Sequence, residues 1–167
     1  YISSGAVYGR QENISKGFSE DESMVSSLEG SKFHYAAAKA EAESIVIKYS
    51  KNNSINSVIA RCFAFVGKHL PLDSHFYIGN MIKSILNKED HEIKSPNKVF
   101  RSYMHSDDLV RALLFLNTFA SSNCEIFNIG SNEICELHEL AFMNSNKYAF
   151  NITGYKKANN ELNADIY

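Results

Sequence analysis

The strongest constraint on the fold is one long helical pattern set between two apolar runs. Residues 31–51 carry Ala36, Ala37, Ala38, Ala40 and Ala42, all strong helix formers. Ile45, Val46 and Tyr49 continue this as an apolar stripe at helical spacing. The residues before it read as the end of a buried strand running into a turn at Gly5 and Gly9. After it, Asn52-Asn53-Ser54 ends the helix, and residues 55–65 read as a strand with few charges, buried on both faces. A helix between two strands returns the chain to the same end of a sheet, so the two strands are expected to pair in parallel.

The rest of the chain is shorter-grained. Residues 10–30, rich in Ser and Glu, read as a surface loop. A helix is predicted over residues 76–87. Residues 93–94 and 99–104 are expected to pair as a hairpin across Ser95-Pro96-Asn97. Ser106 is the expected N-cap of a helix whose first turn holds Asp107 and Asp108, where the helix dipole favours them. Its apolar face would be Leu109, Val110, Leu113, Leu114, Leu116 and Phe119. A strand over 125–129 closes at Gly130, and the Asn- and Lys-rich stretch beyond Ala141 gives no clear pattern.

Composition excludes several classes. The chain has 167 residues, 44% of them apolar and 22% charged, which suits a globular domain with a real core. A net charge of -2 provides no basic patch for nucleic acid. No apolar run reaches membrane-spanning length, and the opening Tyr1-Ile2-Ser3-Ser4 has no signal-peptide pattern, so the expected location is the cytoplasm. Cys62, Cys124 and Cys135 lack metal-ligand spacing and read as reduced, mostly buried thiols; no metal is expected.

Three residues could carry chemistry together. Tyr35 and Lys39 are four apart, so they share one helix face. An ammonium beside a phenol favours the phenolate, which makes a tyrosine usable as an acid/base near neutral pH. Ser4, at the end of a neighbouring strand, could hydrogen-bond the same substrate oxygen. Among nine tyrosines this spacing alone is a weak signal, and the surrounding motifs decide its weight.

Those motifs occur in one order. Ser3-Ser4-Gly5-Ala6-Val7-Tyr8-Gly9 resembles the serine-bearing strand end of the extended short-chain dehydrogenases/reductases, the NAD-dependent nucleotide-sugar epimerases and dehydratases. Tyr35-Ala36-Ala37-Ala38-Lys39 matches their Tyr-x-x-x-Lys motif, with Glu43 where a Glu is common. Arg61-Cys62-Phe63-Ala64-Phe65-Val66-Gly67 resembles the next strand, Arg101 to Leu109 their Arg-aromatic-His-x-x-Asp segment, and Phe127-Asn128-Ile129-Gly130-Ser131 their late Asn-x-Gly strand. The resemblance covers about residues 1–140.

What it implies is an α/β chain: the C-terminal portion of a doubly wound Rossmann-type parallel sheet plus a smaller α/β substrate-binding domain. Residues 1–67 would belong to the Rossmann-like part, and residues 68–167 mainly to the substrate domain, with a sheet strand near 124–130. The N-terminal cofactor-binding half would be absent, since no Gly-x-x-Gly-x-x-Gly turn occurs in the sequence. By the same resemblance Tyr35 is the general acid/base, Lys39 binds the nicotinamide ribose and Ser4 orients the sugar hydroxyl. Asn80 and Arg101 would bind the nucleotide-sugar, Arg101 gripping its diphosphate. NAD or NADP would be held mainly by the missing half, and the full-length form would be a homodimer joined through the helix of Tyr35 and its neighbour. Cys62, Phe63 and Phe65 are expected in the core.

Departures narrow the activity. Ala64 replaces the usual Asn, Lys68 the usual Pro, and Gly5 and Ala6 stand where 4,6-dehydratases carry an Asp-Glu pair. Neither Gly5 nor Ala6 can move a proton. The expected activity is therefore that of an epimerase or keto-reductase working by hydride transfer at the sugar C4. The alternatives are a dTDP- or UDP-sugar 4,6-dehydratase or decarboxylase, a non-catalytic relative, or an inactive fragment.

Overall fold

A computed structural model describes residues 1–9, 17–22, 30–95, 98–154 and the backbone of 165–166. The first strand, β1 (Ile2–Ser4), runs into a 3-10 turn over Gly5–Tyr8, and the next described element is helix α1 (Gly30–Asn53). β2 (Val58–Cys62) follows and pairs in parallel with β1, placing Ser3 beside Arg61 and Ser4 beside Cys62. The predicted crossover is present. The chain continues through β3 (Phe65–Val66), α2 (Tyr77–Asn87), β4 (His91–Glu92), β5 (Val99–Arg101), β6 (Met104–His105) and α3 (Ser106–Leu116). β7 (Glu125–Ile129) adds to β2 in parallel, giving a three-stranded sheet of order β1-β2-β7. β8 (Cys135–Glu136), α4 (Leu137–Tyr148), β9 (Ile152–Thr153) and β10 (Asp165–Ile166) complete the described elements.

β2 is covered on both faces, as its run of apolar residues requires. Val58 and Ala60 pack with Leu116 of α3, joined by Leu113, Phe127 and Ile129. The alternate residue Arg61 points the other way, towards Glu43 of α1. A second core lies further along the chain, where Met81, Ile93, Ala141 and Phe150 close together with Tyr77, Ile85 and Ile152 around them. It joins α2 and α4 to the parallel pair β4–β9. Among the described residues, no helix is long and apolar enough to cross a membrane.

Several expectations are corrected. Among the described residues the expected hairpin does not form: β4 pairs with β9, and β5 pairs with β8 antiparallel and with β10 in parallel. Its proposed turn at Pro96 and Asn97 lies outside the described residues. The N-cap of α3 is His105, not Ser106, because His105 Nδ1 accepts from the Asp107 amide at 3.2 Å. Ser106 instead sits in the first turn against Gly67, where an added Cβ would come within 1.9 Å of its Oγ. That close approach explains why position 67 carries no side chain. Val110, Leu114 and Phe119 are exposed, so the buried stripe of α3 narrows to Leu109, Leu113 and Leu116. Phe65 is exposed too, and is not core. Among the described side chains of α1 the buried ones are Ala36, Glu43 and Ser50, spaced by seven, while Ile45 and Tyr49 face outwards. The stretch beyond Ala141 is helical to Tyr148.

Candidate active site

The site is built where β1 ends and the middle of α1 passes over it. The Ser4 side chain caps the following 3-10 turn, its Oγ accepting from the Ala6 amide at 3.2 Å. Lys39 reaches from α1 to the same strand, donating from Nζ to the Ile2 carbonyl at 3.1 Å. Its ammonium lies 5.4 Å from the Tyr1 ring centre and 6.0 Å from that of Tyr35, one helical turn earlier. The Tyr35 ring is half exposed, at 51%. Ser4, Tyr35 and Lys39 therefore belong to adjoining elements, with Lys39 as the tie between helix and strand. Cys62, the register partner of Ser4, feels the same ammonium: burial pushes its thiol up, and the Lys39 charge partly opposes that.

Beneath this surface runs a polar row that the sequence motifs did not assign. Ser3, Arg61 and Asn128 are register partners across β1, β2 and β7. Glu43 of α1 enters this row from above, accepting from Ser3 Oγ and from Arg61 Nε and Nη2, the last at 2.8 Å. Both side chains of the ion pair are at most 2% exposed. Arg61 Nη1 donates to Tyr8 Oη at 2.7 Å, and Tyr8 Oη donates to Asn128 Oδ1 at 2.9 Å. Burial works against the Arg61 charge, but its bonds to Glu43 and Tyr8 outweigh that and hold its pKa above the ordinary value. The signal available in the sequence was an Arg and a Glu inside otherwise apolar or Ala-rich elements.

Part of the loop expected at the surface is also fixed to this row. Asn128 donates from Nδ2 to the Phe18 carbonyl at 2.9 Å, and its amide donates to Glu20 Oε1 at 2.7 Å. The Phe18 ring stacks on Tyr8 with centres 4.6 Å apart. Glu20 thus holds the Asn128 backbone amide through Oε1. Glu12, another acid of that loop, lies outside the described residues.

Asn80 and Arg101 occupy other elements. Asn80 is exposed in the first turn of α2; with its amide nitrogen turned to the preceding loop, it donates to the Leu72 and Ser74 carbonyls at 3.1 and 3.0 Å. Arg101 is half-buried on β5 and donates from Nη1 to the Phe100 carbonyl at 2.7 Å. Its carbonyl receives the Cys135 thiol at 3.3 Å. Nearby, burial pushes Tyr103 up to about 12, with the Arg101 charge acting against it. No hydrogen bond or ion pair links Asn80 or Arg101 to Ser4, Tyr35 or Lys39 among the described residues. No cluster of acids, His and Cys there could hold a metal.

A sequence model described as the NAD dependent epimerase/dehydratase family matches residues 1–130. No curated protein sequence matches the chain. Among solved structures, a UDP-N-acetylglucosamine 4-epimerase from Methanobrevibacter ruminantium, in complex with UDP-N-acetylmuramic acid, superposes with a TM-score of 0.75 at 22% identity. It covers 99% of this chain and 53% of its own. A dTDP-glucose 4,6-dehydratase from Bacillus anthracis in complex with NAD gives 0.77 at 19% identity, covering 99% and 51%. A UDP-glucose 4-epimerase from Thermotoga maritima with UDP-glucose gives 0.74 at 21%, covering 99% and 52%. The likeness is one of fold: a mixed α/β chain with parallel strands that spans about half the length of these Rossmann-type structures.

Proposed function

Because the chain belongs to the NAD-dependent epimerase/dehydratase family, we propose that it carries the acid–base side of a hydride-transfer site acting at C4 of a nucleotide-sugar, in an enzyme of the epimerase or keto-reductase kind. The observation that carries this reading is the tether from Lys39 to the Ile2 carbonyl. It holds an ammonium over the Tyr35 ring and two residues from Ser4.

In this reading Tyr35 Oη takes the proton of the C4 hydroxyl, and returns it when the sugar is reduced. Ser4 Oγ holds the same sugar oxygen. The Lys39 ammonium stabilises negative charge as it develops on the tyrosine oxygen. When bound, the nicotinamide supplies the hydride acceptor and donor. Lys39 suits the ribose of that cofactor: one of its three donors is used on Ile2, which leaves others for a vicinal diol. The pyrophosphate finds no glycine-rich turn in this sequence, so we assign it to the rest of the full-length enzyme. Arg101 would clamp the diphosphate of the nucleotide-sugar, and Asn80 would contact the sugar-nucleotide from α2.

Residues 1–67 with the strand near 124–130 would form the Rossmann-like part, with α3 packed on it through Leu113 and Leu116, and residues 68–167 would be mainly the substrate domain, built around the core of Met81, Ile93, Ala141 and Phe150. We also assign the full-length protein a homodimer, because Ile45 and Tyr49 stand 61% and 59% exposed on the outer face of α1. Ile45→Glu should then give a monomer in sedimentation, and an unchanged dimer would remove that face from the interface.

The function is tested by incubating the full-length enzyme and NAD with UDP-glucose or dTDP-glucose and following the sugar by NMR. The proposal expects a C4 epimer or a 4-keto sugar. Efficient conversion to a 4-keto-6-deoxy sugar would assign the enzyme to the dehydratases instead.

A further inference from the structure

Gly5, directly after Ser4, is buried under the ring of Phe63. A Cβ built on Gly5 would lie 2.7, 2.8 and 2.9 Å from three carbons of that ring, closer than real side chains approach. The ring has little room to yield. A Cβ at Gly130, the residue after β7, would meet the Phe63 Cβ at 3.0 Å, so the chain already passes close to it. Tyr8 and Phe18, stacked on each other, also neighbour it, with ring centres 6.3 and 6.2 Å from that of Phe63. That stack is fixed in turn by the bonds of Tyr8 and Phe18 to Arg61 and Asn128.

The consequence is chemical. If Ser4 and Tyr35 hold the C4 oxygen, a group acting on C5 or C6 must project from a residue beside them, and position 5 is the first candidate. Eliminating the C6 hydroxyl from a 4-keto sugar breaks the C5–H bond, whose proton goes to a base. Its electron pair becomes the C5=C6 bond, and the C6–O bond breaks as an acid gives the leaving oxygen its proton, releasing water; the reduced nicotinamide, when bound, would supply the hydride to C6 and the base would return its proton to C5, giving the 4-keto-6-deoxy sugar. Each assisting group contributes about 10²–10⁴-fold. We propose that Phe63 is a specificity-determining residue: its ring against Gly5 keeps position 5 empty of any side chain, and so bars an elimination acid from the place next to Ser4. This deepens the C4 hydride-transfer reading and rests on it. Installing acids at positions 5 and 6 is therefore insufficient while Phe63 stays.

Two measurements on the full-length, NAD-loaded enzyme test this. The first is the thermal midpoint without substrate. Gly5→Asp should lower it, and adding Phe63→Ser should recover most of the loss; additive effects of the two changes would show that they do not share a space and would overturn the proposal. The second is formation of a 4-keto-6-deoxy sugar from dTDP-glucose and UDP-glucose, read by NMR. Gly5→Asp with Ala6→Glu should give none above background, and adding Phe63→Ser should raise it at least about 10-fold. Equal elimination with and without Phe63→Ser, or none in either, overturns the role of Phe63. Efficient elimination by the unmodified enzyme would instead defeat the hydride-transfer reading beneath it.

Discussion

Arg61 of β2 and Glu43 of α1 form a fully buried ion pair, with Nη2 2.8 Å from Oε2 and both side chains at most 2% exposed. It locks the helix bearing Tyr35 and Lys39 to the strand that neighbours Ser4. Removing one partner leaves the other charged and buried, which costs about 3–5 kcal/mol. Glu43→Ala is accordingly expected to lower the unfolding free energy by about that amount in urea titrations. Combining Glu43→Leu with Arg61→Met should recover most of it, because an apolar pair leaves no charge unpaired. A loss below about 1 kcal/mol for Glu43→Ala would mean that water reaches the pair.

This pair also marks the limit of what the sequence discloses. The β1–α1–β2 crossover was legible because it depends on local matters, a run of helix formers and two apolar segments. Motif order singled out Ser4, Tyr35 and Lys39, and the fold sets them on adjoining elements. The inward face of α1 was not. Periodicity places Ile45 and Tyr49 inside, yet the helix turns Glu43 and Ser50 inwards, because their partners, Arg61 and Ser3 for one and the Ile55 carbonyl for the other, repay polar burial. Those partners lie outside the helix, on β1 and β2 or in the chain just after it, and leave no trace in the helix itself. The missing hairpin has a similar cause. The strands that β4 and β5 pair with contain Ile152 and Cys135, far along the chain, so a turn signal at Pro96 says nothing about them.

His91 supplies a pH dependence. It is 3% exposed, packed edge-on against Tyr77 and Phe150, with Nδ1 3.4 Å from Ser84 Oγ and Nε2 buried without a partner among the described residues. Burial lowers its pKa, so the folded protein resists the proton that the unfolded chain takes up near pH 6.5. The stability it confers is fully present above that pH, and is lost as pH falls through the lower folded-state value. Thermal midpoints measured between pH 8 and pH 5 should decline on the acid side, and less steeply in His91→Phe. Identical slopes would show that another group sets the dependence.

Arg101→Ala is expected to act on affinity. A guanidinium on a diphosphate is a ground-state contact of about 1.5–3 kcal/mol, so the Michaelis constant for the nucleotide-sugar should rise roughly 10- to 100-fold with turnover little changed. Steady-state kinetics on the full-length enzyme decide it. A fall in turnover at constant Michaelis constant would move Arg101 from substrate binding to the chemical step.

The proposed chemistry depends most on Tyr35 as the proton-transferring group, with Lys39 tied to Ile2 beside it. Tyr35→Phe removes only the phenolic oxygen and keeps the ring, so binding is spared while proton transfer is lost. Single-turnover and steady-state kinetics of the full-length Tyr35→Phe enzyme should show kcat reduced by roughly 10²–10⁴-fold, with substrate affinity close to that of the unmodified enzyme. Retention of most of kcat would contradict the assignment and, with it, the reading of this site as a hydride-transfer centre.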